Sequence, residues 1–259
     1  MDILYILGKG QSLSNNNEFR YSLRSIDRYG QNIDRVFVVG YCPEWLSDEV
    51  VKIPFTQPHG PNKKGEMTFD AKSANILASI LYAVDVSDIG DEFLVSMDDY
   101  IYIRETDFDN YPFYCRLREG EALITPADGN FNGLYHYWLF RTAKRCKIHG
   151  LSEYNFTLHR NMHLCRRDID ENREFLNRAS LDPSYSLESI AYLINYRYTK
   201  HHDFEITYVD DIKLSNREED LIKADPELTE VISTADFREG SILDRFLSSL
   251  FPDKSKYEL

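Results

Sequence analysis

The sequence has few cysteines and no long hydrophobic run, and each absence excludes a class of protein. The four cysteines are scattered and form no CxxC pair, so neither a zinc ribbon nor a redox dithiol is expected, and reduced thiols are predicted. No apolar stretch reaches the roughly 18 residues of a membrane span, because the best candidate, 76–86, is interrupted by Ser79. The first ten residues lack the basic flank and cleavage site of a signal peptide. We therefore expect a soluble, cytoplasmic protein.

Positive charge is also in deficit. The 259 residues include 30 lysines and arginines against 43 aspartates and glutamates, which gives a formal net charge of −13. This acidity argues against a protein that coats nucleic acid or anionic lipid through its overall field, although it leaves room for a local basic groove. Hydrophobic residues make up 42% of the chain, which excludes global disorder and allows one sizeable core without disulfides.

Strand and helix patterns alternate in the first half of the chain. Short apolar runs predict buried strands, and apolar residues three or four apart predict amphipathic helices. The predicted strands are 2–7, 35–40, 50–55, 92–97 and 204–209, and the predicted helices are 16–29, 71–82, 135–147, 186–198 and 241–251. Residues 218–236 are charged and predicted to lie on the surface. Strands separated by helices indicate a mostly parallel α/β sheet with helices on both faces, followed here by a helical C-terminal elaboration.

Two adjacent carboxylates follow the predicted strand 92–97. Ligands of open α/β sheets gather beyond the carboxyl ends of the strands, and Asp98 and Asp99 are placed to reach that edge. Carboxylate oxygens suit Mg²⁺ or Mn²⁺, which commonly bridge protein carboxylates to substrate phosphates. The alternative is that both aspartates only cap a turn.

The exit of the first strand offers a second candidate site, at Gly8, Lys9, Gly10 and Gln11. Glycines let backbone amides approach a diphosphate, and a lysine balances its charge. The segment matches neither GxxxxGK[ST] nor GxGxxG, so an ordinary strand-to-helix turn is the competing interpretation.

A third candidate is the segment 155–167. On a helix, His159 and His163 would share one face, but the HExxH pattern of a zinc site is missing, so ordinary half-buried histidines are the competing interpretation. Arg160, Arg166 and Arg167 concentrate positive charge in an acidic protein, which suits a phosphate or sugar-phosphate ligand.

Taken together, these segments resemble a known family. The strings 2–6 (DILYI) and 16–26 (NNEFRYSLRSI) resemble the opening of Stealth-type proteins, which are sugar-phosphate transferases of capsule synthesis related to the lysosomal-enzyme GlcNAc-1-phosphotransferase. The resemblance continues through 36–40, the PEWL of 43–46, 69–76, the paired aspartates and 158–162. Compact relatives also look like phage-encoded glycosyltransferases. The sequence departs from the family at Leu7-Gly8-Lys9-Gly10 and lacks a proline near Asn161, so glycosyl and glycosyl-1-phosphoryl transfer both stay open.

The resemblance implies a GT-A-like, Rossmann-related fold and a nucleotide-sugar donor, most simply a UDP-sugar. A single domain spans 1–259, with a nucleotide-sugar-binding half at 1–130 and an acceptor-side and C-terminal helical half at 131–259. Asp98 and Asp99 would hold Mg²⁺ or Mn²⁺, and Asp99 and His159 would act in catalysis. The residues implied to bind the nucleotide and its phosphates are Gly8, Lys9, Gly10, Gln11, Arg20, Lys72 and Asn75.

Three interpretations of the function stay open, and they differ in the acceptor that each requires. A saccharide acceptor needs aromatic and hydrogen-bonding groups, which Tyr135, Tyr137 and Trp138 would supply. A hydroxymethylated base in duplex DNA, modified by a phage enzyme in the host cytoplasm, needs clustered cations and a pocket for an extruded base. The cations that would bind the acceptor are Lys63, Lys64, Arg145, Arg160 and Arg166, and they also suit a phosphorylated sugar. The third interpretation is a non-catalytic nucleotide-sugar-binding protein. The net charge favours the saccharide.

Overall fold

The computed structural model describes residues 1–8, 16–64, 67–116, 134–156, 158–201, 205–209, 212–227, 229–235 and 237–259, and only the backbone of 134–136 and 187. The strands are β1 (Asp2–Leu7), β2 (Gly30–Gln31), β3 (Val36–Gly40), β4 (Val50–Pro54), β5 (Glu92–Met97), β6 (Tyr100–Tyr102), β7 (Thr106–Asp107), β8 (Phe113–Cys115), β9 (Met162–Cys165), β10 (Ile206–Tyr208), β11 (Lys213–Leu214) and β12 (Val231–Thr234). The α-helices are α1 (Asn17–Tyr29), α2 (Phe69–Val86), α3 (Leu134–Ile148), α4 (Arg166–Glu171), α5 (Arg173–Leu181), α6 (Ser186–Lys200), α7 (Glu218–Leu221) and α8 (Ile242–Leu250), and a 3-10 helix spans Pro183–Tyr185.

The central sheet has five strands in the order β4-β3-β1-β5-β9. The first four run parallel to one another, and β9 runs antiparallel to β5. The predicted mostly parallel α/β sheet is therefore confirmed. Strand β9 was not predicted, because its four residues are too few to show a period. This strand brings the second half of the chain into the main sheet.

Helices cover both faces of this sheet, as predicted, because every side chain of β1 is buried and alternate side chains point to opposite faces. Ile3 and Tyr5 belong to the core that includes Phe19 of α1. Leu4 belongs to a second core that includes Leu77 of α2 and also takes in α5 and α6. Helix α2 extends beyond the predicted 71–82 on both sides, and Thr68 caps its start with a hydroxyl that accepts a hydrogen bond from the Ala71 amide.

Smaller sheets are built beside the first core. One has the order β11-β12-β6, and β12 is antiparallel to β6. The prediction that 218–236 lies on the surface is wrong for β12, all four of whose residues are buried. The local charge pattern hid this strand, since its burial depends on pairing with residues more than a hundred positions earlier. Within the described ranges, no helix is long and apolar enough to cross a membrane.

Candidate functional site at the carboxyl edge of the sheet

The carboxyl ends of the four parallel strands lie along one edge of the sheet, at Leu7, Gly40, Pro54 and Met97. The first turns of α1 and α2 follow β1 and β4 along the chain and start from this edge. Gly40 has a φ of 105°, and a Cβ there would lie 2.2 Å from the Leu7 carbonyl oxygen, so only glycine fits this close approach. In parallel sheets, this is the edge where ligands bind.

Asp98 and Asp99 form the turn between β5 and β6 at this edge, and both are half-buried. Burial, the charge of Asp99 and the charge of Glu18 raise the pKa of Asp98 to about 8. Burial also raises the pKa of Asp99, although nearby His159 and Lys213 oppose that shift. The positive groups among the described residues therefore balance only part of the negative charge of Asp98 and Asp99. A divalent cation would balance the rest.

The start of α1 contributes two buried residues to this turn that the sequence analysis did not assign to the site. Glu18 adds negative charge near both aspartates, and the Asn16 side chain hydrogen-bonds Asp98. Asn16 has a left-handed φ of 62°, and its side chain does not cap the helix that it precedes. The signal available in the sequence was an asparagine before a helix, which reads as an ordinary cap.

Carboxylate oxygens fit a hard cation such as Mg²⁺ or Mn²⁺, and a diphosphate commonly supplies further oxygens. Within the described residues, no group of three or more histidine, cysteine, aspartate or glutamate side chains lies close enough to form a metal site without such help. The residues at this turn are thus suited to hold a metal jointly with a ligand.

The two histidines do not share a helix face, because they lie in a bend and in β9. His159 is half-buried, near Asp99, with its ring edge-on to Tyr100 at a centroid distance of 6.3 Å. His163 is buried and stacks on Phe113 at 4.5 Å. Burial lowers the pKa of His163 to about 4, so this histidine is a neutral core residue.

A cleft of about 560 Å³ opens at the ends of β1, β3 and β4. Its lining includes Tyr41, Phe55, His59 and Met67. The cleft combines aromatic and apolar walls with a few polar groups, which is typical of small-molecule sites.

The residues predicted to bind the nucleotide differ in their burial and in their partners. Gly8 is half-buried at the end of β1, and Lys72 is exposed in the first turn of α2, whereas Lys9, Gly10 and Gln11 lie outside the described residues. Arg20 pairs with Glu258 at 2.8 Å and lies 4.1 Å above the Trp45 ring. Asn75 is buried and hydrogen-bonds the backbone of His59.

The predicted acceptor-binding cations do not form one surface. Lys63 and Lys64 are exposed in the loop that also lines the cleft. Arg145 of α3 pairs with the buried carboxylate of Glu188 and packs over Phe175. The side chain of Tyr135 is not described, Tyr137 is 40% exposed, and Trp138 is buried.

Of the other two arginines, Arg160 precedes β9 at the carboxyl end of β5, and only Arg166 lies away from that edge. Arg160 is buried, stacks over Tyr114 and donates to Thr229. Arg166 lies at the opposite edge of the sheet, where its guanidinium donates to three backbone carbonyls, including that of Val84. Arg167, also at the start of α4, is exposed.

No family model matches the chain, and no curated protein matches its sequence. Among solved structures, the galactosyltransferase LgtC in complex with donor and acceptor sugar analogues aligns with 98% of this chain and 96% of its own, at a TM-score of 0.48 and 12% identity. An active-site mutant of LgtC aligns with 96% of this chain and 95% of its own, at a TM-score of 0.47 and 10% identity. At these values the similarity is one of chain path and carries no information about substrate. The resemblance to Stealth-type proteins stays a prediction.

Proposed function

We propose that this protein is a nucleotide-sugar-dependent transferase of the GT-A type that moves a glycosyl or glycosyl-1-phosphoryl group to a saccharide acceptor. The observation that carries the proposal is the position of Asp98 and Asp99 at the end of β5, along the same sheet edge as the cleft. Open α/β sheets bind their ligands at this edge. The resemblance of 2–6 and 16–26 to Stealth-type proteins supports the same interpretation.

In this proposal Asp98 and Asp99 hold Mg²⁺ or Mn²⁺. When held there, such an ion would supply positive charge against the charge that develops on the departing nucleotide. Asn16 orients Asp98 through its hydrogen bond, and Lys213 balances part of the charge of Asp99. Glu18 keeps the turn acidic when no cation is present, which favours cation binding.

The donor lies across the carboxyl edge, with its nucleotide in the cleft and its diphosphate towards Asp98. Lys72 and the positive end of α2 face the phosphates in this arrangement. The segment from Gly8 to Gln11 keeps its proposed phosphate contact. Arg20 and Asn75 leave the donor-binding set, because their side chains are committed to Glu258 and to the His59 backbone.

His159 is the proposed acid–base residue or contact to the transferred group. It is half-buried and close to Asp99, so it can exchange a proton with the acceptor or stabilise the group that moves. Tyr100, whose ring meets that of His159 edge-on, belongs to β6 directly after the acidic turn.

The distribution of cations supports a saccharide acceptor over duplex DNA. Arg145 and Arg166 are paired with Glu188 and with backbone carbonyls, and Arg160 is buried, so these three side chains do not form a shared exposed basic groove. DNA binding depends on several phosphate contacts made together. Lys63 and Lys64 remain exposed beside the cleft, where they suit the phosphates of a donor or of a phosphorylated sugar.

The test measures Mn²⁺ binding and the Mn²⁺-dependent release of nucleotide from a panel of nucleotide sugars. Asp98→Asn and Asp99→Asn should each weaken Mn²⁺ binding and lower turnover by about a thousandfold or more, because the metal contributes several kcal/mol to the transition state. Both variants should fold normally. Turnover at the wild-type rate in Asp99→Asn would overturn the proposal.

Asp48→Asn is the matched control, because Asp48 is fully exposed and its nearest cation, the Lys52 Nζ, is 3.7 Å away. Its metal binding and turnover should equal those of the wild type. Metal-dependent nucleotide binding without turnover of any donor would instead identify the protein as a non-catalytic nucleotide-sugar-binding protein.

A further inference from the structure

One wall of the cleft is held in place by a single buried side chain. Asn75, 1% exposed on α2, accepts a hydrogen bond from the His59 amide through its Oδ1 at 2.9 Å. Its Nδ2 donates to the His59 carbonyl oxygen at 2.8 Å. The amide group therefore satisfies both backbone polar groups of His59, much as a neighbouring strand would, and anchors the loop that lines the cleft.

The ring of His59 is oriented by a second contact. Its Nε2 lies 2.8 Å from the backbone carbonyl oxygen of Ser180, near the end of α5. A carbonyl oxygen only accepts, so Nε2 carries the hydrogen. In the neutral ring, Nδ1 is then a lone-pair acceptor, and no described residue hydrogen-bonds it. His59 thus brings one oriented acceptor to the wall of the cleft.

We propose that the His59 Nδ1 accepts a hydrogen bond from an N–H of the donor's nucleobase, and that Asn75 is the positioning residue that holds it for this contact. The inference rests on the proposed function and deepens it, since it identifies the side chain that recognises the nucleobase of the donor. In a uridine nucleotide the only base N–H is at N3, so blocking that position removes the contact. A recognition site with a buried or oriented acceptor discriminates against a ligand that cannot donate to it.

The test compares UDP with N3-methyl-UDP in the presence of Mn²⁺, by calorimetry, in the full chain. The wild type should bind the methylated compound about tenfold more weakly, the equivalent of one net hydrogen bond. His59→Gln places an amide donor near Ser180 but leaves no acceptor at the Nδ1 position, so it should bind both compounds equally and weakly. His59→Asn places an oxygen near the Nδ1 position, so it should regain the preference for UDP.

Asn75→Ala tests the positioning role. It should raise the KM for the donor severalfold, with kcat nearly unchanged, and it should remove the hydrogen-exchange protection of the His59 amide. Ser79→Ala is the control, because Ser79 is buried one turn later on α2 and its Oγ has no described partner. This control should change neither the KM nor the exchange rate.

The outcomes separate the two proposals. Equal binding of UDP and N3-methyl-UDP by the wild type, or unchanged UDP affinity in His59→Gln, overturns the base contact while metal-dependent turnover still supports a transferase. A protected His59 amide in Asn75→Ala overturns the positioning role whatever the ligand. A wild type that neither binds nor turns over any nucleotide sugar overturns the proposed function, and the base contact with it.

Discussion

Two acidic sites in this protein have opposite electrostatic surroundings. Glu258, near the C-terminus, has a fully buried side chain that accepts hydrogen bonds from Arg20 and Arg24. Burial alone would raise its pKa, but these two arginines hold the pKa below its usual value. At the turn after β5, burial together with the charges of Asp99 and Glu18 raises the pKa of Asp98 to about 8.

The difference distinguishes an acid whose charge is balanced by the fold from an acid pair that we propose binds a cation. A carboxylate with two arginine partners has its charge satisfied within the chain, whereas a repelling pair of carboxylates costs stability until a cation arrives. Without a bound cation, the turn with Asp98 and Asp99 is therefore less stable than it would be with neutral side chains at these two positions.

The first prediction concerns Glu258, whose negative charge is balanced by two arginines. Glu258→Gln leaves Arg20 and Arg24 facing a neutral amide, which should cost about 2–4 kcal/mol of the free energy of unfolding. The Tm should fall by roughly 5–10 °C. Calorimetry measures this change, and nucleotide release at 25 °C should stay within about twofold of the wild type. A Tm equal to that of the wild type would show that the ion pairs do not stabilise the protein.

The second prediction contrasts the two histidines of the β9 region. His159→Ala should lower turnover by about a hundredfold, within the range for a lost acid–base group, and leave the Tm within about 2 °C. His163→Ala should do the reverse, because it empties the space against Phe113 and should cost about 2–3 kcal/mol of stability. Kinetics and thermal unfolding of both variants check this. Reduced turnover without lost stability in His163→Ala would reverse the assignments.

The third prediction uses pH to separate the acidic sites. The lowered pKa of Glu258 contributes stability above its unfolded pKa of about 4.5 and loses it as the pH falls below that value. The raised pKa of Asp98 has the opposite sign, so the metal-free protein should lose stability as the pH rises from about 4 to about 8. Because Asp98 is only half-buried, solvent screens part of its charge, and we expect a loss of only about 1–2 kcal/mol.

Denaturant unfolding in the presence of a chelator measures this loss. Asp98→Asn should flatten the decline between pH 4 and pH 8, and saturating Mn²⁺ should do the same for the wild type. Asp48→Asn should keep the wild-type profile. An unchanged decline in Asp98→Asn would show that Asp98 is compensated after all.

The regular elements could largely be predicted because their signals are local. β1 and β5 have the predicted bounds, and α1 and α8 lie within one residue of theirs, since continuous apolar runs and helical spacing do not depend on distant residues. The position of the aspartate pair at the end of β5 follows from the same pattern.

Which residues share a site was decided by the tertiary structure. The sequence could not show that Arg20 meets Glu258, 238 positions away, that Asn75 serves the His59 backbone, or that Arg166 lies at the far edge of the sheet. It also could not assign Glu18 and Asn16 to the acidic turn.

The sequence by itself determined that this is an acidic α/β protein and that strand β5 is followed by two carboxylates. Both could be predicted because the periodicity of apolar residues and the end of a strand depend on residues that are neighbours in the chain. The tertiary structure alone decided which charges are compensated. A polar side chain is satisfied by whatever the fold brings within about 3 Å of it, and that depends on contacts between segments far apart in the chain. Asp98 and Glu258 are both carboxylates, and their surroundings raise the pKa of one and lower the pKa of the other.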